Sequence, residues 1–336
     1  MSRPRVTHVV ATDAFAGVER YVCDTVTELH ARGWQVTVIG GDPEAMRANL
    51  PAGVLQFPAR TAAHAVRTLW RRPSDLVHTH MTAAEAAAAP LKGLRFQRLV
   101  STRHLAQPRG SSPLGRLARP VIEARLDAQI AISEYAASVI VGPSIVVPNG
   151  VPSSRLAPLP RERTIVVMQR LESEKDTALA VQAYAASHLA EDGWALRICG
   201  RGAEEQPLRA LARDLRIEVD FAGFVTDPRS VLASAGIVLG TAPAEPFGLA
   251  VVEAMAEAAP VVASDGGAHP EVLGPDGVYF PVGDVQAAAA ALRTVAADEA
   301  YAAAYGRTLQ RRHSELFTIE RHVDRLEVVY EEAWNR

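Results

Sequence analysis

The chain has little cysteine, almost no lysine, no long apolar run and no standard nucleotide-binding glycine loop. Its two cysteines in 336 residues, Cys23 and Cys199, lie far apart and have no partners at metal-ligand spacing. That excludes a disulfide framework and a cysteine-based zinc site, and makes a reducing cytoplasm the expected compartment. No apolar run approaches the roughly 18 residues that a membrane span needs. Residues 1–10 set a basic tip before a short apolar stretch, but Asp13, Glu19 and Arg20 end it too soon for a secretory leader. It reads as a first β-strand. A Walker A loop is missing, and Gly200-Arg-Gly202 lacks the third glycine of a dinucleotide fingerprint. Arginine supplies 33 of the 35 basic residues, so Lys92 and Lys175 stand out wherever they fall.

What is present describes an ordinary globular chain, 48% hydrophobic and 22% charged, long enough for two domains. Residues 1–150 carry 17 basic against 11 acidic side chains and the remainder 18 against 27, so the halves are fitted to different partners. Short apolar runs alternate with helical periods, the signature of parallel sheets built from βαβ units. Strands are expected at 6–11, 35–39, 54–57, 76–80, 99–102, 129–132 and 145–147, with a clear helix at 18–32. Residues 151–163 hold Pro152, Ser153, Ser154, Pro158 and Pro160 without periodicity, which reads as a linker. The pattern restarts with strands at 164–168, 195–199, 219–222, 237–240 and 260–263, and helices near 176–190 and 248–258. On the last helix Ile319, Val323, Leu326, Val329 and Tyr330 form an apolar stripe. The expected class is α/β: a domain over 1–150, the linker, a second domain over 164–317 and a terminal helix over 318–336. In open α/β sheets ligands bind at the carboxyl ends of the strands.

The most informative segment runs Ala244-Glu-Pro-Phe-Gly-Leu-Ala-Val-Val-Glu-Ala-Met-Ala. Glu245 stands in a loop after a buried strand, and a helix starts near Gly248 and Leu249. Free N–H groups at a helix start favour anionic oxygens or sugar hydroxyls. Glu253 follows within two turns, and two such carboxylates can accept several hydroxyl hydrogen bonds. This segment, continued by Pro260-Val-Val-Ala-Ser and Gly266-Gly267, resembles the donor-binding motif of retaining glycosyltransferases of family 4, which have the GT-B fold. Met168-Gln-Arg-Leu-Glu-Ser-Glu-Lys resembles the same family's strand-end motif. There the resemblance gives Arg170 and Lys175 to the donor diphosphate, one as a fork and one as a point charge. Phe15-Ala-Gly-Val-Glu-Arg-Tyr-Val resembles the glycine loop opening the first long helix, which implies that Gly17 brings backbone N–H groups to the phosphate. Ser101-Thr-Arg-His resembles the strand end that presents a histidine, His104, to the donor sugar. Val147-Pro-Asn-Gly-Val resembles the entry to the second domain.

The resemblance covers nearly the whole chain and implies two facing Rossmann-like domains with a deep cleft and a C-terminal crossover helix. It implies transfer of a sugar from a UDP- or GDP-linked donor to an acceptor hydroxyl, with retention, in which His104, Arg170, Lys175 and Glu245 act in catalysis. Gly17, Phe247, Gly248, Leu249 and Glu253, with Arg170, Lys175 and Glu245, hold the donor. The N-terminal domain takes the acceptor, whether glycan, lipid-linked or small molecule. No Asp-x-Asp occurs, and fixed cations replace a metal, so neither metal nor cofactor is expected beyond the nucleotide sugar. Four family positions differ: Ala16, Gln169 and Ala259 stand where glycine is usual, and Pro152 where aspartate is. Ala16 and Gln169 crowd the phosphate side. Two other classes fit the architecture: a nucleotide-sugar epimerase or hydrolase, which turns over donor without acceptor, and a binding module, which releases no sugar.

Two further features stand outside these motifs. His78 and His80 share one face of a strand, but a metal would need a third ligand that the sequence does not locate, so packing or acceptor contact is the reading. Residues 60–72 form a helix with Arg60, His64, Arg67 and Arg71 on one face and Ala63, Val66 and Trp70 on another. A solvated face is the plain reading. The alternative is peripheral contact with the inner membrane surface through the basic N-terminal domain; nucleic acid is not an expected partner.

Overall fold

The structure of the protein, a computed structural model, describes residues 4–107, 109, 113–154 and 159–335, with the backbone alone for 113–118. It divides into two compact units, one of residues 1–152 with 319–336 and one of residues 153–318. In unit 1 the strands are β1 (Val6–Val10), β2 (Val36–Gly40), β3 (Leu55–Phe57), β4 (Leu76–His80), β5 (Arg98–Arg103), β6 (Ala128–Ala131) and β7 (Ile145–Val146). They form one parallel sheet in the order β3-β2-β1-β4-β5-β6-β7. Unit 2 holds β8 (Thr164–Met168), β9 (Ala195–Cys199), β10 (Val219–Gly223), β11 (Ile237–Gly240), β12 (Val261–Ser264) and β13 (Val278–Phe280). Their order is β10-β9-β8-β11-β12-β13, again all parallel. Two Rossmann-like α/β units are what the alternating pattern predicts. β13 was not among the expected strands, because its three residues are too short to show a period.

In each unit the strand order reverses once, between β1 and β4 and between β8 and β11. At such a switch point the loops leave in opposite directions and open a crevice at the carboxyl ends. Crossover helices cover both faces of a parallel sheet, so the central strands are buried throughout. β4 reads Leu-Val-His-Thr-His, and three polar side chains in a strand with no solvent must all find partners.

The last helix, Ile319–Asn335, belongs to unit 1. Val323, Leu326, Val329, Tyr330 and Ala333 pack with Tyr21, Val22, Val26 and Leu29 of the helix Gly17–Ala31 and with Val6, Val10, Val36 and Val38 of the sheet. Each large apolar side chain buried this way contributes roughly 1.5–3 kcal/mol.

Residues 155–158 of the expected linker lie outside the described residues; near its end the Arg161 guanidinium donates to the carbonyls of Leu232, Ala233, Ala235 and Glu257. These carbonyls lie around the ends of two helices, where intrahelical donors run out; the Leu232 carbonyl also accepts from the Ala235 N–H. The helix expected over 176–190 stops at Ser187, where His188 turns left-handed at φ 58°. In the helix Ala62–Arg71 the inward stripe is Ala65 and Leu69, with Ala62 and Val66 partly covered, whereas Ala63 and Trp70 are exposed. The Arg95 guanidinium sits 5.1 Å from the Trp70 ring centre, so this large side chain gains a cation rather than a core.

Candidate functional site

The unit 2 switch point is tied shut by one amide. Gln169 leaves β8 and Thr241 leaves β11, and the two N–H groups of Gln169 Nε2 are shared among three oxygens within hydrogen-bond distance: Thr241 Oγ1 at 3.1 Å, the Lys175 carbonyl at 3.1 Å and Thr177 Oγ1 at 2.9 Å. The Thr241 hydroxyl donates to the same carbonyl at 2.8 Å. The backbone of Lys175 is thus fixed from both strands. Its ammonium meets the Glu245 carboxylate at 2.6 Å, with both side chains largely buried. Asp176 follows in the left-handed region at φ 46°, which Asp tolerates, and its carboxylate caps the helix Thr177–Ser187.

Glu245 is held from behind. The Ala268 N–H donates to its carbonyl at 2.8 Å, and a Cβ on Gly267 would come within 2.3 Å of its backbone nitrogen. Only glycine permits that approach. Gly248, at φ 92°, then turns the chain into the helix Leu249–Ala256, whose first N–H groups open at this edge. Glu253 sits on its second turn. His269 is buried beside the pair, with Nδ1 3.1 Å from Ser264 Oγ, and burial holds its ring neutral despite the pull of Glu245.

In unit 1 the helix Gly17–Ala31 begins at the β1 carboxyl end. Ala16 adopts an ordinary extended backbone (φ −138°), and its N–H donates to Glu19 at 2.8 Å. Tyr21, one turn on, sets its ring edge-on to His104 with centroids 4.8 Å apart. The loop after β5 that carries His104 is pinned by a buried carboxylate. Glu85 takes two hydrogen bonds from Arg109, at 2.7 and 2.8 Å, and accepts from Ser101 and Arg103. Burial would raise its pKa, but Arg109 and Arg103 outweigh it and hold the carboxyl below its usual range. Met81, just after β4, has φ 74° and ψ 155°, a conformation that is costly for any side chain.

His104 ends a chain of rings. Its Nε2 lies 3.0 Å from His80 Nδ1, and His80 Nε2 lies 3.0 Å from His8 Nδ1. His8 Nε2 is 3.3 Å from the Tyr330 hydroxyl, which is 2.6 Å from His78 Nδ1, and His78 Nε2 is 2.7 Å from Thr102 Oγ1. Burial lowers the pKa of all four histidines, to about 3 for His8 and His104. His8 is the third imidazole that a metal reading of His78 and His80 lacked, and ligand atoms of the three lie within 4.8 Å of one another. An ion there would have to break the existing links in an enclosed place with no thiolate, and the hydrogen-bonded chain already satisfies these nitrogens.

Residues 15–155 match the family description Glycosyltransferase Family 4, and residues 155–312 match Glycosyl transferases group 1. The chain belongs to glycosyltransferase family 4. It is 29% identical to the phosphatidyl-myo-inositol mannosyltransferase of Mycobacterium leprae over 89% of this chain and 90% of that one. It is 34% identical to the GDP-mannose-dependent phosphatidylinositol dimannoside mannosyltransferase of Mycobacterium tuberculosis over 48% of this chain and 42% of that protein. The solved structure of Anabaena HepE in complex with UDP and glucose superposes with a TM-score of 0.81 at 18% identity, covering 98% of this chain and 100% of that one. The fold is GT-B.

Within this glycosyltransferase, Lys175 and Glu245 meet although seventy positions separate them. Gly248 and Leu249 form the helix start beside them. Arg170 is not joined to that pair; its guanidinium is exposed and bonds Glu174 at 2.7 Å. The Phe247 side chain is in the core, its ring edge-on to Phe317 at 5.9 Å, so of this residue only backbone remains for a ligand. Gly17 and His104 share the edge of unit 1. Sequence reasoning missed Thr241, His269, His8, Tyr21, His322 and Tyr330, and read Gln169 only as an obstruction.

Proposed function

We propose that this glycosyltransferase moves a sugar from a nucleotide-diphosphate donor to an acceptor hydroxyl, with retention and without a metal ion. Unit 2 takes the donor and unit 1 the acceptor. The observation that carries the reading is the Lys175–Glu245 pair at the unit 2 switch point, beside the open helix start at Leu249. A fixed ammonium beside free N–H groups suits a leaving diphosphate, and a carboxylate beside it suits sugar hydroxyls. Arg170 adds a second cation, because its exposed pair with Glu174 contributes no more than about 1 kcal/mol and yields readily to phosphate. Glu253 takes the ribose, and His104 is the group that unit 1 offers to the reacting sugar.

The mannosyltransferase relatives make GDP-mannose the first donor to test and a lipid-linked inositol the first acceptor; UDP-glucose is the comparison donor. In a thermal-shift series the true donor raises the melting temperature, because it binds only the folded state. Transfer persists in EDTA and gives a product with the donor's anomeric coupling constant. Activity lost in EDTA and restored by magnesium overturns metal independence, and an inverted coupling constant overturns retention. Donor turnover without acceptor favours a hydrolase or epimerase. Glu253→Ala weakens donor affinity by roughly tenfold or more, as loss of a charged hydrogen bond does, with little change in melting temperature.

Among the described residues no helix is long and apolar enough to cross a membrane. Peripheral contact is carried by the helix Ala62–Arg71, where His64, Arg67, Thr68 and Arg71 line a groove with Phe57 and Arg72, and Trp70 is exposed nearby. Cosedimentation with phosphatidylglycerol vesicles is expected at low salt and is lost at high salt. No binding at low salt leaves these cations a solvated face.

A further inference from the structure

The motif Gly200-Arg-Gly202 is no dinucleotide fingerprint, and the fold gives its two glycines another reason. A Cβ on Gly200, at φ 153°, would stand 1.9 Å from the Gln169 carbonyl oxygen, and one on Gly202 2.1 Å from that of Leu171. Backbone against backbone cannot give way, so only glycine fits on either side of Arg201. The two loops are stitched where they touch. The Gln169 N–H donates to the Cys199 carbonyl at 3.1 Å, the Leu171 N–H to the Arg201 carbonyl at 2.9 Å and the Glu204 N–H to the Leu171 carbonyl at 2.9 Å. The Gly200 N–H donates to the Gly223 carbonyl at 2.8 Å, which ties the same loop to the end of β10. Arg201 is thus fixed at the carboxyl edge of the sheet, alongside the loop that carries Arg170 and Lys175.

Its side chain runs toward β10, with Nε 3.8 Å from the place that a Gly223 Cβ would take. The residue is exposed, and among the described residues nothing bonds its guanidinium. Phe224, which follows Gly223, is 49% exposed. The next helix, Pro228–Ser234, packs against Leu249–Ala256, the helix of Glu253. β9 and β10 are the first and second neighbours of β8 on one side, and adjacent strands stand about 4.8 Å apart. On the other side the edge is filled. There the Glu245 loop lies on Gly266 and Gly267, where Cβ atoms would come within 2.2 Å of the Pro243 oxygen and 2.3 Å of the Glu245 nitrogen. A nucleotide with its diphosphate at Lys175 therefore lays its base over β9 and β10, where Arg201 and Phe224 flank Gly223.

We propose that Arg201 reads the base of the donor and selects guanine, with Phe224 as the ring on which the base stacks. A guanidinium offers two parallel N–H donors. Guanine presents two adjacent acceptors, O6 and N7, which such a fork fits, whereas adenine sets an amino donor beside its N7. Uracil carries a lone O4 on the corresponding edge and takes one prong. Stacking favours every base alike, so Phe224 supplies affinity and Arg201 the choice. The inference rests on the reading of unit 2 as the donor unit, and it names the donor class, a guanosine diphosphate sugar.

The test is calorimetric binding of GDP, UDP, ADP and 7-deaza-GDP, which has carbon in place of N7, to the full chain. Wild type is expected to prefer GDP to UDP and ADP, and to bind 7-deaza-GDP roughly tenfold more weakly than GDP, because one prong is lost. Arg201→Ala weakens GDP by roughly 10–100-fold, leaves UDP within about threefold and no longer separates 7-deaza-GDP from GDP. Arg201→Lys keeps the charge without the fork and loses the same preference. Phe224→Ala weakens GDP and UDP alike, by about tenfold. Melting temperatures serve as the folding control for these exposed positions. A wild type that prefers UDP overturns the proposal. So does an Arg201→Ala protein that loses GDP and UDP equally, as a phosphate contact would, or an Arg201→Lys protein that keeps the wild-type preference. The underlying reading fails separately: if Lys175→Ala leaves the binding of every diphosphate untouched, this edge of unit 2 does not hold the donor. Diphosphates that need Lys175 but ignore Arg201 sink the base assignment alone.

Discussion

Lys175→Ala lowers turnover by about 10²–10³-fold while the protein stays folded. As the sugar–phosphate bond breaks, charge builds on the diphosphate oxygen, so a fixed cation gains more in the transition state than in the ground state. The structure explains why this lysine is fixed. Its carbonyl is held by both Gln169 and Thr241, and its ammonium by Glu245 at 2.6 Å, so little reorganisation is left for the moment of reaction. Binding of the free nucleoside monophosphate falls far less than turnover. Arg170→Ala is the milder change, because that guanidinium is exposed and held only by Glu174. Gln169→Gly loosens the loop without removing any charge and loses part of the same effect. Steady-state kinetics with melting temperatures as the folding control decide the matter. Two incidental loop cations would change stability by about 0.5 kcal/mol and leave turnover alone, so near wild-type rates in folded Lys175→Ala remove this loop from the donor site.

The unit 2 residues were legible because a switch-point site is built from short loops, and each loop is a contiguous string with its own chemistry. Lys175 and Glu245 could be paired in advance only by their motifs, yet each string was visible by itself. The histidine row is the opposite case. His8, His78 and Thr102 come from β1, β4 and β5, and Tyr330 from the last helix, so no window of sequence holds two consecutive members of the row. The meeting of His8 with His78 follows from the β1–β4 pairing, which the order of the strands along the chain does not reveal. For Gln169 the sequence shows only bulk in place of glycine, whereas the structure adds an amide whose two N–H groups reach three oxygens of the loop. Trp70 was misread because 62, 65, 66, 69 and 63, 66, 70 are both helical stripes. The alanines of the true stripe carry almost no hydrophobic signal beside an indole.

On acidification from pH 7.5 to 5.5, unit 1 loses a large share of its stability, and the cause is the histidines rather than the carboxylates. Burial holds His8 and His104 down to about 3, His322 to about 4, and His78 and His80 well below the ordinary 6.5. Folding therefore selects the neutral ring. Above pH 6.5 both states are neutral and the contribution is fully present; below it the unfolded chain takes up protons that the folded chain refuses, and stability falls. The groups facing these rings add to this: Arg103 acts on His104 and Arg325 on His322, both repelling a proton, while Tyr21, Tyr330 and Thr102 bring no charge at these pH values. At pH 5.5 each unfolded imidazole is about nine-tenths protonated, and each ring costs on the order of 1 kcal/mol relative to pH 7.5. Five rings together cost roughly 5–7 kcal/mol, against a whole-domain stability of about 5–15. For a unit of this size that corresponds to a fall in melting temperature on the order of 10–25 °C. Calorimetry in buffers of different ionisation enthalpy counts the protons directly: about four to five are expected to be taken up when unit 1 unfolds at pH 5.5. His78→Gln should remove close to one of them and flatten the pH slope in proportion. An uptake below one proton, or a melting temperature unchanged between pH 7.5 and 5.5, would mean that these rings are charged or open to water in the folded protein.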